Sequence, residues 1–184
     1  PVVSALANDP QRSLERNAKL QWSIMVCIYG MSPVPALLLL AFPKYNGKSA
    51  FLVFFLVLVV QTAMVTQHLV SRKLQRAPTA PAISHSFNGP SWVAGLVAGS
   101  VLGAALAGIT PFVPGQAFAM AFVACVAGTL GHFVMKAIKR DRGVPLCHNE
   151  IRATTGAGGL LDRVDGLCFA APVFFHSVRW YFDL

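Results

Sequence analysis

Charge is what this 184-residue chain has least of. Asp, Glu, Lys and Arg together make up 12% of it, about half the share found in an ordinary soluble domain. The four are also missing in long runs, with none of them in 20–43, 49–71 or 77–135. A helix in water needs a hydrated outer face, so runs of this length exclude a soluble globular enzyme and a DNA-binding domain. A disordered tail is excluded as well, because it would be polar. Acidic groups are the scarcer sign, 7 against 15 basic, for a net charge of +8. The basic residues cluster at the ends of the apolar runs, so the excess reads as membrane topology and not as a nucleic-acid surface. Paired cysteine spacing is missing too: Cys27, Cys125, Cys147 and Cys168 form no CxxC or CxxH pattern, which disfavours a disulfide or zinc framework. Three of them lie in or beside apolar stretches, where a free Cys behaves as a small hydrophobe. The chain opens Pro-Val-Val with no basic stretch leading into an early apolar run, a pattern unlike a cleavable signal peptide.

What is present, at 55% apolar residues, is an all-α integral membrane protein. A span needs about 20 apolar residues, and the sequence predicts a polytopic helical bundle of about five transmembrane segments in a single membrane domain, 1–184. The spans fall at about 20–42, 49–70, 92–110, 116–135 and 167–182. The first is interrupted by Gly30, Pro33 and Pro35, which leaves open whether it crosses or turns back. The third carries Gly95, Gly99 and Gly103 four apart, a small-residue stripe suited to close approach by a neighbouring helix. Such a stripe could serve a second copy of the chain or a larger membrane complex. The last ends in Trp180 and Tyr181, residues of an interfacial belt.

Charge counting orients the chain. With the N-terminus in the cytoplasm, twelve of the 15 Lys and Arg residues fall on the inner side, and only Lys44, Lys48 and Arg179 on the outer. The loops 71–91 and 136–165 then share the cytoplasmic face, where a soluble substrate would be met. A bacterial inner membrane suits this arrangement.

The stretch 131–165 carries the most chemistry. Lys136, Lys139, Arg140 and Arg142 leave the apolar run together, a flexible Thr154–Gly159 turn follows, and Asp162-Arg163-Val164-Asp165 leads into the last apolar segment. On a helix, Asp162 and Asp165 are three apart and share a face. Two carboxylates so placed make half of a Mg²⁺ site, with water and phosphate oxygens filling the rest. Gly156, Gly158 and Gly159 let backbone amides approach a phosphate ahead of a helix N-terminus. Lys139 and Arg140 would offset the charge of a polyphosphate. Each part also has a plainer use: acidic residues complement a helix dipole, and basic residues at a cytoplasmic helix end mark topology or touch anionic lipid. The combination in one loop favours a metal-bound nucleotide beside the bilayer.

The run from Lys139-Arg140 through Gly156-x-Gly158-Gly159 to Asp162-Arg163-x-Asp165, with Leu167-Cys168-Phe169-Ala170-Ala171-Pro172 after it, resembles the signature of the phosphatidate cytidylyltransferases, the CDP-diacylglycerol synthases. The likeness extends upstream through LQWSIMVCIYG and FLVFFLVLVVQ, and so over most of the chain. It implies a membrane enzyme of phospholipid biosynthesis that joins CTP and phosphatidic acid to give CDP-diacylglycerol and pyrophosphate, with Mg²⁺ as cofactor. Asp162 and Asp165 map onto the family's metal-binding carboxylates. Lys139 and Arg140 map onto its basic pair, with Arg163 inside the acidic motif. Ser84 is what survives of a cytoplasmic-loop segment, and Phe87 stands near its Lys.

Several motif positions are altered. Lys136 stands for a Ser, Ala157 for a His and His132 for an Asp. Ala63 and Met64 occupy the place of an Asp, and 144–148 has no Lys-Asp pair. Loss of such groups costs transition-state stabilisation unless His132, Lys136, His148 or Glu150 substitutes. The alternative is therefore a degenerate relative, a pseudoenzyme serving as a structural or regulatory subunit of a membrane complex. A transporter fragment ranks below both, because ionisable residues avoid the middle of the spans.

Overall fold

A computed structural model describes residues 13–40, 49–74, 79, 83–84, 87–141 and 156–182, with the backbone alone for 13, 14, 16 and 156–163. The described residues are overwhelmingly helical and contain no strand. Helix α1, Ser13–Ile24, opens into a π-helical turn at Met25–Tyr29 and is followed by α2, Pro33–Leu38. The long helices are α3, Ser49–Leu74; α4, Gly89–Ala105, which tightens into a 3₁₀ turn at Leu106–Ile109; α5, Pro114–Asp141; and α6, Gly156–Phe182. The stretches Asn17–Leu38, Ser49–Leu74, Gly89–Ile109 and Pro114–Asp141 are long and apolar enough to cross a membrane. Helix α6 is as long as its neighbours but carries Asp165, His176 and Arg179 along its described length.

The break between α1 and α2 has a local cause. Gly30 donates its N–H to the carbonyl of Met25, closing the wide turn, and Pro33 begins the next helix at a position where its missing N–H costs nothing. A Cβ at Gly30 would lie 2.7 Å from the carbonyl oxygen of Cys168 on α6. That carbonyl is four residues before Pro172, whose ring nitrogen cannot hydrogen-bond back to it. The bend of one segment thus packs on the turn of α6 that precedes Pro172, and Cys168 Sγ meets Met31 Sδ at 3.3 Å.

The core lies where α3, α5 and α6 converge. Leu52, Phe55, Leu56, Val59 and Val60 of α3 are fully buried, as are Ala170, Ala171, Phe174 and Val178 of α6. The ring of Phe55 lies 5.8 Å, centroid to centroid, from both Phe112 and Phe174. The outer surface is apolar in its turn, with Val93, Val97 and Val101 exposed along one stripe of α4, and Leu20 and Ile24 of α1 exposed with Ile28 of the π-helical turn. In a bilayer these faces meet acyl chains, so their exposure carries no penalty.

The glycine stripe of α4 is spent inside the chain. A Cβ at Gly95 would come 2.6 Å from the Ala63 carbonyl of α3, one at Gly99 would overlap Cys125 Sγ of α5, and one at Gly103 would overlap Ala121. The neighbours of this stripe are α3 and α5 of the same chain, and it is not open to the second copy that the sequence suggested.

Candidate functional site

Helix α5 presents His132, Lys136 and Lys139 at i, i+4 and i+7, on one side of the helix. Opposite them α6 supplies Asp165, whose side chain is wholly buried. Its two oxygens are divided between two bases of the same helix: His132 Nδ1 lies 2.7 Å from Oδ1, and Lys139 Nζ donates to Oδ2 at 3.3 Å. His132 and Lys139 keep 19% and 16% of their side-chain surface accessible. The cluster therefore opens to the outside along the basic side, and the carboxylate forms its floor. A buried carboxylate without partners would be strongly disfavoured, so two hydrogen-bonded bases are what let Asp165 remain in this place.

The close approach of α5 and α6 depends on Gly131, where any Cβ would overlap the ring of Phe169. One turn away, Gly128 is set against Val60 and the carbonyl of Gly166. Met64 Sδ packs against Gly166 from α3, where a Cβ would come within 2.9 Å. Met64, one of the two residues that the resemblance sets in the place of an Asp, thus packs on α6 one residue from Asp165.

A polar and aromatic bracket braces the same end of the bundle. Asn88 accepts from the N–H of Ser91 at 2.9 Å, capping α4, and its amide reaches Ser71 of α3 at 3.5 Å. Trp92 donates its indole N–H to Thr129 at 2.9 Å, three residues before His132. Phe87 lies against Phe133 with centroids 4.6 Å apart. Nothing in the sequence singled out Asn88, Trp92 or Thr129; the Asn-Gly-Pro start of α4 was the available signal for the cap.

Of the residues expected at a site, the structure brings Lys139 and Asp165 into contact. Arg140 is exposed in the last turn of α5, and Ser84 is buried in the connection between α3 and α4. Gly156, Gly158 and Gly159 belong to the first turn of α6 rather than to a loop ahead of it. The difference has a physical origin: a glycine-rich stretch reads as a turn by propensity, yet at a helix start it leaves the orphan amides uncovered. Asp162 and Arg163 continue the same helix, and their side chains lie outside the described residues, as do Ala157, His148 and Glu150. His132 is the partner that the sequence marked only as a substitute for a missing carboxylate. Its spacing of seven from Lys139 was the clue.

The donor set fits a magnesium ion only in company with substrate. Among the described residues no three His, Cys, Asp or Glu side chains gather around a point. Mg²⁺ is commonly held by one or two carboxylates and completed by phosphate and water. Asp165 is one such carboxylate, and Asp162 lies one turn earlier on α6 with its side chain outside the described residues.

A buried carboxylate of α6 is thus joined to two bases of α5, and comparison with known proteins gives the family in which this cluster occurs. The cytidylyltransferase family matches residues 2–181, and the chain belongs to it. The chain is 31% identical over 179 residues to the uncharacterized protein YnbB of Escherichia coli K12, covering 95% of this chain and 58% of that protein. It is 34% identical over 139 residues to a phosphatidate cytidylyltransferase of Mycobacterium leprae, covering 73% of this chain and 42% of that enzyme. The chain thus spans about half the length of these curated relatives. No solved structure matches it.

Proposed function

We propose that this chain is the CMP-transferring part of a membrane phosphatidate cytidylyltransferase, acting on CTP and phosphatidic acid. The observation that carries the reading is the buried Asp165, shared between Lys139 and His132 where α5 meets α6, in a chain of the cytidylyltransferase family. The similarity to the Mycobacterium leprae enzyme supports the choice of substrates. In the reaction an oxygen of the lipid phosphate forms a bond to the α-phosphorus of CTP. The bond from that phosphorus to the β-bridging oxygen breaks, and pyrophosphate leaves with its electron pair.

Lys139 and Arg140 attract the triphosphate and offset its charge, since positioning and electrostatic stabilisation supply most of the catalysis in such transfers. The first-turn amides of Gly156, Gly158 and Gly159 offer unsatisfied donors to a phosphate oxygen. Ser84 adds a hydroxyl from the connection between α3 and α4, and Arg163 adds a further cation to the acidic motif. Asp162 and Asp165 would hold Mg²⁺ that arrives with the nucleotide. When bound, the ion would supply Lewis-acid polarisation of the phosphoryl oxygens. The N-terminus and the loops 71–91 and 136–165 face the cytoplasm of a bacterial inner membrane in this reading, supported by the twelve-to-three division of basic charge.

A second reading follows from Met64 against Gly166: with an apolar sulfur on the α3 side, the chain would be a scaffold or regulatory subunit of a membrane complex. Calorimetry with CTP separates the two. Magnesium-dependent binding that Asp165→Asn loses, followed by radiolabelled CMP transfer to phosphatidic acid, upholds the transferase. Absence of binding at millimolar CTP upholds the scaffold.

A further inference from the structure

We infer that His132 is a positioning residue: its Nδ1–H holds Oδ1 of Asp165, so that Oδ2 stays on Lys139. The inference rests on the transferase reading for its consequence in catalysis, but its physical content is separate.

Three observations carry it. Asp165 is wholly buried, so its orientation is set by the protein and not by water. Its two oxygens have different partners, and both partners stand on α5, two turns apart. A carboxylate held by Lys139 alone could pivot about its χ2 torsion, a broad and weakly restrained angle; a second donor on the other oxygen fixes the plane. The Gly131–Phe169 contact brings α5 close to α6 at the turn that carries His132, which sets the distance the imidazole has to span. An ionised carboxylate can only accept, so with Asp165 ionised the nitrogen 2.7 Å from Oδ1 carries the hydrogen, and the inference assigns the proton of His132 to Nδ1.

Substitutions distinguish the two ring nitrogens. The side-chain amide of His132→Asn places an N–H near the position of Nδ1, whereas His132→Gln places it near Nε2, and His132→Ala removes both. Loss of groups that orient a ligating carboxylate typically lowers activity about 10- to 100-fold. His132→Ala and His132→Gln should lower kcat by that factor and shift the KM for CTP less than threefold. His132→Asn should recover most of the kcat. Equal kcat in the Asn and Gln variants, or losses that follow a fall in melting temperature instead of the position of the N–H, would overturn the assignment.

A ¹⁵N-histidine spectrum of the full chain in detergent provides a readout that needs no turnover, with the His132 signal identified by its disappearance in His132→Asn. A protonated Nδ1 upholds the contact, and a bare Nδ1 overturns it. Should the wild-type chain transfer no CMP, the transferase reading falls on that result, while the spectrum still decides whether His132 holds Asp165.

Discussion

Replacing Asp165 by asparagine keeps the shape of the side chain and removes its charge. Lys139, with 16% of its side chain accessible, then loses the carboxylate to which it donates at 3.3 Å. Breaking a buried pair by removing one member is destabilising, by up to about 3–5 kcal/mol. Asp165→Asn should therefore lower the unfolding temperature in detergent as well as abolish CTP binding, and Lys139→Met made together with it should restore much of the stability but none of the binding. A second test at this scale concerns Gly131: Gly131→Ala drives a methyl into the Phe169 ring. Overpacking of this kind costs about 1–3 kcal/mol, so Phe169→Leu in the same chain should regain part of the loss in a thermal melt. The acidic and basic residues of the cluster were legible in the sequence from their types and spacing. Which of them meet was not, since a pairing between residues 33 positions apart is decided by how two helices are rotated against each other.

Among the elements, charge-free runs marked the long helices because only a lipid-facing surface tolerates them. Hydropathy locates the part of a helix that sits in lipid, and it is blind to how far the helix continues beyond. Helix α6 begins at Gly156, ahead of its apolar part, because glycines and charged residues lower hydropathy without breaking the backbone ladder. The stripe of Gly95, Gly99 and Gly103 was equally visible, but a small-residue pattern does not name its partner. The structure assigns it to α3 and α5 of the same chain. Gly99→Leu should accordingly misfold or destabilise the monomer, seen as a lowered melting temperature with no gain of larger species in gel filtration. By the same argument Val97→Leu on the exposed side of α4 should be nearly silent. Asn88→Ala should cost about 1 kcal/mol as a lost cap, with some further loss from its bond to Ser71.

For the whole molecule, the division of basic charge sets the expectation. Single cysteines at positions 80 and 145 in a chain whose four native cysteines are replaced by serine or alanine should label only after inner-membrane vesicles are inverted. One at position 46 should label in intact spheroplasts. Reversed labelling would remove the proposed site from the side on which CTP is found. The family could be read from the motif between Lys139 and Asp165, and the match over residues 2–181 carries it across the chain. Activity could not be read in the same way, because His132 and Met64 stand where the resemblance expects carboxylates, and a shared scaffold does not fix the chemistry of its site.

The fastening of Asp165 by two groups on a single helix also bears on how the bundle is assembled. In lipid, apolar helices gain nothing from hiding their sides from solvent, so one azimuth is nearly as good as another until side chains interlock. Turning α6 by one residue swings a side chain through about 100° and would carry a carboxylate from its two bases toward hydrocarbon. The ion pair then acts as an index mark, setting both the rotation and the axial position of α6 on α5. A chain that neutralised the cluster for the sake of stability would leave the docking of these helices to the Gly131–Phe169 and Gly128–Gly166 contacts alone.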